Sequence, residues 1–305
     1  MSSETKFRGI IVPLATPLSE RDQIDIPGLE RLLERVISGG VHGVFLLGST
    51  GEAPSLTERL KREFISRAVS IVDGRVQVIV GVTDTSLVDS IELSAYAAEQ
   101  KVDAVVAAPP PYFPINQADL AAWVEALAAE VELPLFLYNM PSHSKVAFDL
   151  GTVRQLLHHP KIVGLKDSSG NMLYFNQVVQ LAQERPSFHV FIGPEELLAE
   201  SVLVGGNGGI CGGANLYPQL YVELYNAAAD GDLAKIHKLQ HRVLRLASQL
   251  YSVGDPPSGY LTGLKCALSC LGVCSGRMAE PLRSLSADKS KAIVQHLRDL
   301  GLLES

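Results

Sequence analysis

The segment Ile162-Val163-Gly164-Leu165-Lys166-Asp167-Ser168-Ser169 is a short apolar run that ends in a lysine and then turns polar. Its length and composition predict a buried β-strand that meets a loop at Lys166. Apolar walls disfavour the charged form of an amine, and an uncharged lysine amine attacks carbonyl carbons to form Schiff bases. Alternatively, Lys166 extends out of the strand end and pairs with a carboxylate. The residues at the other strand ends decide between these interpretations.

Seven further runs of apolar and β-branched residues alternate with longer helical patterns up to about residue 225. Their near-continuous apolarity is typical of parallel strands that are buried on both faces of a sheet. Eight strand–helix repeats in this length favour a closed (β/α)8 TIM barrel over an open sheet, which usually has fewer strands. The predicted strands are residues 9–13, 41–47, 76–80, 104–107, 135–138, 163–166, 189–192 and 208–211.

After about residue 226 the strand signal ends, and three helical patterns follow at residues 232–251, 258–271 and 287–302. No segment rich in glycine, serine or proline separates these patterns from the barrel. We therefore predict a catalytic barrel at residues 1–225 and a C-terminal helical extension at residues 226–305. The extension is expected to pack on the barrel or on a neighbouring subunit.

Composition narrows the kind of partner and cofactor. The 305 residues are 47% hydrophobic with a net charge of −7 and no dense basic run, which argues against nucleic acid and favours a small-molecule substrate. No apolar signal core or bilayer-spanning run is present, so a cytoplasmic protein without membrane contact is expected. The four cysteines lack Cys-x-x-Cys spacing, and no histidine and carboxylate cluster has ligand spacing. Neither a metal nor another cofactor is therefore expected.

In a TIM barrel the active site lies at the C-terminal ends of the strands, and polar motifs occur at three of them. Gly48-Ser49-Thr50-Gly51-Glu52 follows the second strand and offers two hydroxyls and several backbone N–H groups to a carboxylate. An ordinary turn would have a similar composition. Tyr138 ends the fifth strand, either as a proton-transfer group or as a core residue with a tethered hydroxyl. Lys166 ends the sixth strand.

Two further strand ends carry unusual loops. Pro109-Pro110-Pro111-Tyr112-Phe113-Pro114 follows the fourth strand and is a stiff segment that holds an aromatic residue away from the barrel. It either reaches a neighbouring molecule or forms a rigid surface turn. The glycine-rich stretch from Gly205 to Asn215 spans the eighth strand, where bare main chain lines the site or allows close packing inside the barrel.

Together these motifs resemble those of the pyruvate-dependent class I aldolases and synthases, the family of dihydrodipicolinate synthase and N-acetylneuraminate lyase. The segment 48–52 is similar to the family's Gly-[Ser/Thr]-Thr-Gly-Glu loop, Tyr138-Asn139-Met140-Pro141 to its Tyr-Asn-x-Pro turn, and 164–167 to its Schiff-base strand. The resemblance covers most of the chain. It implies a TIM barrel with C-terminal helices, no cofactor, and a homotetramer built as a dimer of dimers.

The resemblance also implies a role for each motif. Lys166 would form an imine with the ketone of pyruvate, and the protonated imine would serve as the electron sink for an enamine. Ser49 and Thr50, with Gly48, would hold the carboxylate. Tyr138 would deliver and remove protons within hydrogen-bond reach of Ser49.

Three more positions follow from the same resemblance. Tyr112 corresponds to a rim tyrosine that enters the relay of an adjacent subunit, and Ile210 to the residue whose carbonyl lies near the pyruvyl group. His143 departs from the pattern, because dihydrodipicolinate synthases have an arginine there for the carboxylate of the aldehyde. Histidine lacks the five N–H donors of arginine and changes charge with pH, although Lys145 nearby would help to bind an anion. We therefore predict an aldolase, a carbon–carbon lyase, acting on a 2-keto-3-deoxy sugar acid or a related 4-hydroxy-2-oxo acid.

Other functions use the same residues. The first two are 4-hydroxy-tetrahydrodipicolinate synthase and N-acetylneuraminate lyase. A third is a dehydratase for a keto-deoxy acid, since the same imine can expel water. A non-catalytic keto-acid sensor is a fourth, but reversible binding of a small acid needs neither the imine of Lys166 nor the proton transfer of Tyr138.

Overall fold

The computed structural model of the protein describes residues 7–304. Eight parallel strands pair in chain order, and the first also pairs with the last, so the sheet closes into a barrel. The predicted (β/α)8 barrel is thus confirmed, and each strand overlaps its predicted segment. The strands are β1 (Gly9–Pro13), β2 (Gly43–Leu46), β3 (Gln77–Gly81), β4 (Ala104–Ala107), β5 (Leu135–Asn139), β6 (Ile162–Asp167), β7 (His189–Ile192) and β8 (Gly208–Gly209).

A helix follows each strand and covers the outside of the barrel. The helix that begins after Thr57 has the predicted N-cap, because Thr57 Oγ1 accepts a hydrogen bond from the backbone N–H of Leu60. The helices are α1 (Ile26–Ser38), α2 (Glu58–Val72), α3 (Leu87–Glu99), α4 (Gln117–Glu130), α5 (Leu150–Leu157), α6 (Met172–Ala182), α7 (Leu198–Leu203) and α8 (Pro218–Ala229). An antiparallel hairpin of Leu18–Glu20 and Gln23–Ile24 was not predicted.

Side chains rather than a channel fill the barrel interior. Phe45, Phe136 and Phe191 are fully buried there, and burying a side chain of this size stabilises the fold by about 1.5–3 kcal/mol. Gly164 leaves space for the ring of Phe136, because a Cβ at position 164 would lie 2.4 Å from Cε1 of that ring. The filled interior confines any substrate site to the rim of the barrel.

The barrel closes at a seam between two glycines. Gly9 of β1 pairs with Gly208 of β8, and a Cβ on Gly208 would lie only 2.0 Å from the carbonyl oxygen of Gly9. Both residues have positive φ, at 80° and 150° respectively. Only glycine adopts both conformations without steric cost, so the glycine-rich stretch allows close packing at this strand.

Three helices follow the barrel, where three helical patterns were predicted: α9 (Leu233–Leu250), α10 (Gly259–Cys270) and α11 (Ala287–Asp299). Lys265 of α10 forms an ion pair of 2.5 Å with Glu52, which follows β2, and both side chains are almost fully buried. The second carboxylate oxygen of Glu52 accepts a hydrogen bond from the N–H of Ala279 at 2.7 Å. The C-terminal helices therefore pack on the rim of their own barrel. Within residues 7–304, no helix has the length and apolar character needed to cross a membrane.

The four-residue spacing of Cys266, Cys270 and Cys274 predicts three thiols along one helical face, but the three do not share one helix. Helix α10 ends at Cys270, so Cys274 lies beyond it. All four cysteines are free thiols, and burial raises the pKa of Cys274 to about 12, so this residue packs as a small apolar group. In the described part of the chain, no group of three or more histidine, cysteine or acidic side chains is placed to hold a metal ion.

Candidate active site

Lys166 lies inside the rim of the barrel at the end of β6 and is only 4% exposed. Its Nζ is 4.1 Å from the centroid of the Tyr138 ring and 5.0 Å from that of the Phe45 ring. Lys166 and Tyr138 are direct partners in the pairing of β5 and β6. Within residues 7–304 no carboxylate forms an ion pair with this amine, so Lys166 does not extend outward to a surface partner.

Tyr138 links the lysine to the loop after β2. Its hydroxyl oxygen lies 3.3 Å from Oγ of Ser49, and the ring is buried. Burial alone would raise the pKa of the Tyr138 phenol, but the positive charge of Lys166 and hydrogen bonds with Ser49 and Lys166 outweigh this and lower the pKa. A phenol with a lowered pKa exchanges protons more readily near neutral pH.

The loop after β2 is a tight turn with strained backbone at both ends. Leu47 and Glu52 have φ of 57° and 58°, in the left-handed region that costs non-glycine residues of order 1–3 kcal/mol. Gly48 packs so closely on Phe45 that a Cβ would lie 2.7 Å from the ring. The N–H of Gly51 donates to the carbonyl of Gly48 at 3.0 Å. This turn holds the Ser49 hydroxyl against Tyr138, the neighbour of the lysine.

A tyrosine from the C-terminal helices also reaches this loop. The hydroxyl of Tyr260, in α10, lies 3.0 Å from Oγ1 of Thr50, across 210 positions of sequence. A Cβ on Gly212 would stand 1.6 Å from that hydroxyl, so the glycine makes room for it. Sequence reasoning missed Tyr260, because its helical pattern carries no information about what the helix packs against.

A buried carboxylate supports the turn after β8. Glu195 accepts hydrogen bonds from the hydroxyls of Tyr221 and Tyr251 at 2.6 and 2.7 Å and from the N–H of Gly213 at 2.6 Å. Burial, and then the charge of Glu196, raise the pKa of Glu195 to about 7, although its three hydrogen bonds favour the ionised form. This residue was also missed. The turn it supports follows Ile210, which is buried in the same interior cluster as Phe45 and Tyr138.

His143 lies on a one-turn helix, Pro141–Ser144, at the rim after β5. Its Nδ1 is 2.9 Å from Oγ of Ser142. Partial burial, followed by the positive charges of Lys145 and Lys166, lowers the pKa of His143. The imidazole is therefore within electrostatic range of the Lys166 amine, and a pKa below the usual 6.5 favours its neutral form at pH 7. When Ser142 donates to Nδ1, the ring proton is on Nε2, which then acts as a hydrogen-bond donor.

Asn139 and Asp167 fix the C-terminal ends of β5 and β6. The Asn139 amide donates to Oδ1 of Asp167 at 2.8 Å, and its carbonyl accepts from the N–H of Phe148 at 3.1 Å. Asp167 also accepts from the backbone N–H and the hydroxyl of Ser169, each at 3.0 Å. These contacts fix the residues that directly follow Tyr138 and Lys166 in the chain.

Tyr112 is separate from this group of residues. It is 86% exposed, with φ of 87°, and its ring contacts only the ring of Phe113 among the aromatic residues described, at 5.0 Å between centroids. The structure thus brings Lys166, Tyr138 and the loop hydroxyls together in one chain, with Ile210 and His143 nearby. It leaves Tyr112 exposed to solvent.

Comparison with known proteins identifies the family. Residues 6–300 match the model of the Dihydrodipicolinate synthetase family. A solved dihydrodipicolinate synthase from Bacteroides thetaiotaomicron is 45% identical, with a TM-score of 0.94 over 98% of this chain and 100% of that one. YagE of Escherichia coli K12, a prophage protein of the dihydrodipicolinic acid synthase family solved in complex with pyruvate, is 30% identical, with a TM-score of 0.91 over 97% of this chain and 99% of that one.

A curated relative carries a different activity. The probable 2-dehydro-3-deoxy-D-pentonate aldolase YjhH of Escherichia coli K12 is 32% identical over 270 residues, which cover 88% of each chain. The predicted resemblance and the predicted class of carbon–carbon lyase are confirmed by these matches. This chain belongs to the Dihydrodipicolinate synthetase family, whose members are lyases and aldolases that form or cleave carbon–carbon bonds.

Proposed function

We propose that this protein is a pyruvate-dependent class I aldolase that forms or cleaves a 2-keto-3-deoxy sugar acid or a related 4-hydroxy-2-oxo acid. One observation carries the proposal: Nζ of Lys166 lies 4.1 Å from the ring centroid of Tyr138, whose hydroxyl in turn reaches Ser49. An amine, a proton-transfer group and an anion-binding loop therefore lie together at the rim of one barrel. A binding protein for a keto acid would not need the first two.

The reaction begins when the uncharged amine of Lys166 attacks C2 of pyruvate; one proton is taken up and water leaves, giving an iminium. The iminium withdraws electrons from C3, so a C3 proton leaves and an enamine forms. The enamine carbon then attacks the carbonyl carbon of an aldehyde, and the resulting alkoxide takes up a proton. Water hydrolyses the new iminium, which releases the 4-hydroxy-2-oxo acid and regenerates the amine. Cleavage follows the same steps in reverse.

Tyr138 supplies and removes protons in these steps. Its hydroxyl lies between the lysine and Ser49, and its lowered pKa suits proton exchange near neutral pH. Ser49 and Thr50, with the N–H groups of the turn that begins at Gly48, bind the pyruvate carboxylate. The carbonyl of Ile210 lies beside the pyruvyl group in this arrangement.

His143 favours an uncharged aldehyde. A neutral imidazole donates one hydrogen bond from Nε2, which suits a sugar hydroxyl, whereas arginine would bind a carboxylate with two. The relative YjhH is named a probable 2-dehydro-3-deoxy-D-pentonate aldolase, an activity on a keto-deoxy sugar acid. A second candidate, 4-hydroxy-tetrahydrodipicolinate synthase, is favoured by the 45% identity with the Bacteroides thetaiotaomicron enzyme. That reaction would require His143, with help from Lys145, to bind the carboxylate of aspartate semialdehyde.

We also infer a homotetramer, a dimer of dimers, in which Tyr112 enters the proton relay of a neighbouring subunit. Tyr112 and Phe113 present two exposed aromatic rings in contact with each other, and Tyr112 is held at a strained φ. Strain of this kind persists at sites where function requires it. A large exposed aromatic pair is also typical of a surface that another subunit covers.

Borohydride trapping with pyruvate tests the mechanism. We expect a single reduced adduct on the peptide that contains Lys166 and its loss in Lys166→Ala, with unchanged circular dichroism and melting temperature. Lys265 is an internal control, since it is also buried but is paired with Glu52, and its peptide should stay unmodified. An unmodified Lys166, or an adduct elsewhere, would contradict the proposal.

A substrate screen separates the alternatives. An aldolase releases pyruvate from 2-keto-3-deoxy acids, whereas a dehydratase releases water without pyruvate. Faster condensation of pyruvate with aspartate semialdehyde than with neutral sugar aldehydes would identify the synthase. A sensor would bind pyruvate without exchanging its methyl protons with solvent.

A further inference from the structure

The C-terminal helix α10 places a phenol beside one of the two hydroxyls that are assigned to the pyruvate carboxylate. The hydroxyl of Tyr260 lies 3.0 Å from Oγ1 of Thr50, which is itself buried. The other hydroxyl, on Ser49, contacts Tyr138 instead, at 3.3 Å. Each loop hydroxyl is thus paired with a different tyrosine, and the mechanism above uses only one of these tyrosines.

The position of the Tyr260 ring is fixed from two sides. Its ring packs edge-to-face on Tyr251, with 4.8 Å between centroids. On another side the missing side chain of Gly212 leaves the space that the phenol oxygen occupies. Tyr251 in turn donates to Glu195, so its own hydroxyl is used elsewhere. The Tyr260 hydroxyl is therefore held at Thr50 by its surroundings.

At 3.0 Å either hydroxyl of the Tyr260–Thr50 pair can donate, and the phenol, which is the more acidic of the two, is the better donor. Burial raises the pKa of Tyr260, and the charge of Glu195 adds to this, while the bond to Thr50 acts in the opposite direction. The phenol consequently keeps its proton and needs an acceptor. Oγ1 of Thr50 lies at hydrogen-bond distance and has lone pairs to accept it. The Thr50 hydroxyl proton is then left to point at a different group.

We propose that Tyr260 is a positioning residue for the carboxylate of pyruvate: by donating to Oγ1 of Thr50, it directs the Thr50 hydroxyl proton at the substrate. The proposal rests on the proposed function of this site. Without the phenol, a threonine hydroxyl can rotate and donate to a nearby backbone carbonyl instead. The C-terminal helices would thus contribute to substrate affinity through Tyr260, which acts on pyruvate through Thr50.

The Tyr260→Phe variant removes this hydrogen bond while keeping the ring. We measure the pyruvate concentration that half-saturates borohydride trapping at Lys166, together with KM and kcat. The half-saturating concentration and KM should rise about tenfold, which is the effect of weakening one hydrogen bond to a charged group, while kcat stays within about twofold. A Thr50→Val variant should lose affinity too, and the double variant should lose no more than Thr50→Val alone, because the two residues act as one unit.

Two controls separate positioning from packing. Tyr251→Phe removes the hydroxyl of the adjacent ring, which bonds to Glu195 rather than Thr50, and should leave the half-saturating pyruvate concentration within about twofold. Acetone is a methyl ketone without a carboxylate, so its trapping at Lys166 should be the same in wild type and Tyr260→Phe. An unchanged pyruvate affinity in Tyr260→Phe, or an equal loss for acetone, would overturn the proposal. A wild-type protein that gives no adduct would refute the proposed function itself, and this inference with it.

Discussion

Removal of the Lys265 ammonium alone should destabilise the protein more than removal of both charges of its ion pair. Lys265 and Glu52 are 2% and 1% exposed, with 2.5 Å between Nζ and Oε1. Burial lowers the pKa of Lys265, and the Glu52 carboxylate acts against this shift. Each charge is therefore tolerated in the interior only because the other is present.

The magnitudes follow from what each variant leaves unpaired. Lys265→Met leaves the Glu52 carboxylate buried with the N–H of Ala279 as its remaining partner, and breaking a buried pair in this way costs about 3–5 kcal/mol. Adding Glu52→Gln removes the charge and keeps an oxygen that accepts from Ala279. The double variant should then lose only about 1–2 kcal/mol, the range of one or two hydrogen bonds.

Urea unfolding at pH 7 and fixed protein concentration, followed by circular dichroism, measures these differences. Lys289→Met is the matched control, because Lys289 and Asp255 are also 2.5 Å apart but are 35% and 88% exposed. A surface pair of this kind contributes about 0–1 kcal/mol. The reasoning would be refuted if the double variant were less stable than Lys265→Met. It would also be refuted if Lys265→Met lost no more unfolding free energy than Lys289→Met.

Tyr138→Phe should lower turnover by about 10²–10⁴-fold, as expected for loss of a general acid–base group, while a pyruvate adduct still forms slowly on Lys166; normal turnover would contradict its role. Because the pKa of His143 lies below the usual 6.5, the preference for a carboxylate-bearing aldehyde over a neutral one should rise only at a pH below 6.5, and His143→Asn should abolish that rise. The folded pKa of Glu195, about 7, exceeds the usual 4.5, so its contribution to stability falls as pH rises through that interval. The loss of unfolding free energy in Glu195→Gln should accordingly be larger at pH 5 than at pH 8, and a pH-independent loss would argue against this pKa. Tyr112→Phe should reduce turnover while sedimentation shows an unchanged oligomer, and full activity would remove the proposed contribution to a neighbouring subunit.

Sequence predicted the barrel well because each strand is a separate apolar run, and parallel pairing buries both faces of the sheet. The hairpin of Leu18–Glu20 and Gln23–Ile24 escaped notice because its strands are very short and largely polar. Lys166, Tyr138 and the 48–52 loop could be grouped in advance, since every parallel strand of a barrel presents its C-terminal end at the same rim.

Two residues near the site could not be predicted, for a common reason. Tyr260 lies in a predicted helix, and Glu195 follows a predicted strand, but their contacts depend on how α10 and its neighbours pack on the barrel. Helical periodicity indicates which face of a helix is buried and not which loop it meets. Partners separated by 56 residues, such as Glu195 and Tyr251, or by 210, such as Thr50 and Tyr260, leave no local pattern.

The glycine seam between β1 and β8 sets an order of assembly during translation. The edge of β1 that pairs with Gly208 stays open until about 200 further residues have been made, which takes roughly 10–40 s at usual ribosome speeds. Lys166 emerges from the ribosome before the strand that closes the barrel, and Tyr260 and Lys265 follow later still. The open edge of β1 is therefore exposed while most of the chain is synthesised, so a nascent chain needs protection of this strand edge until β8 pairs with it.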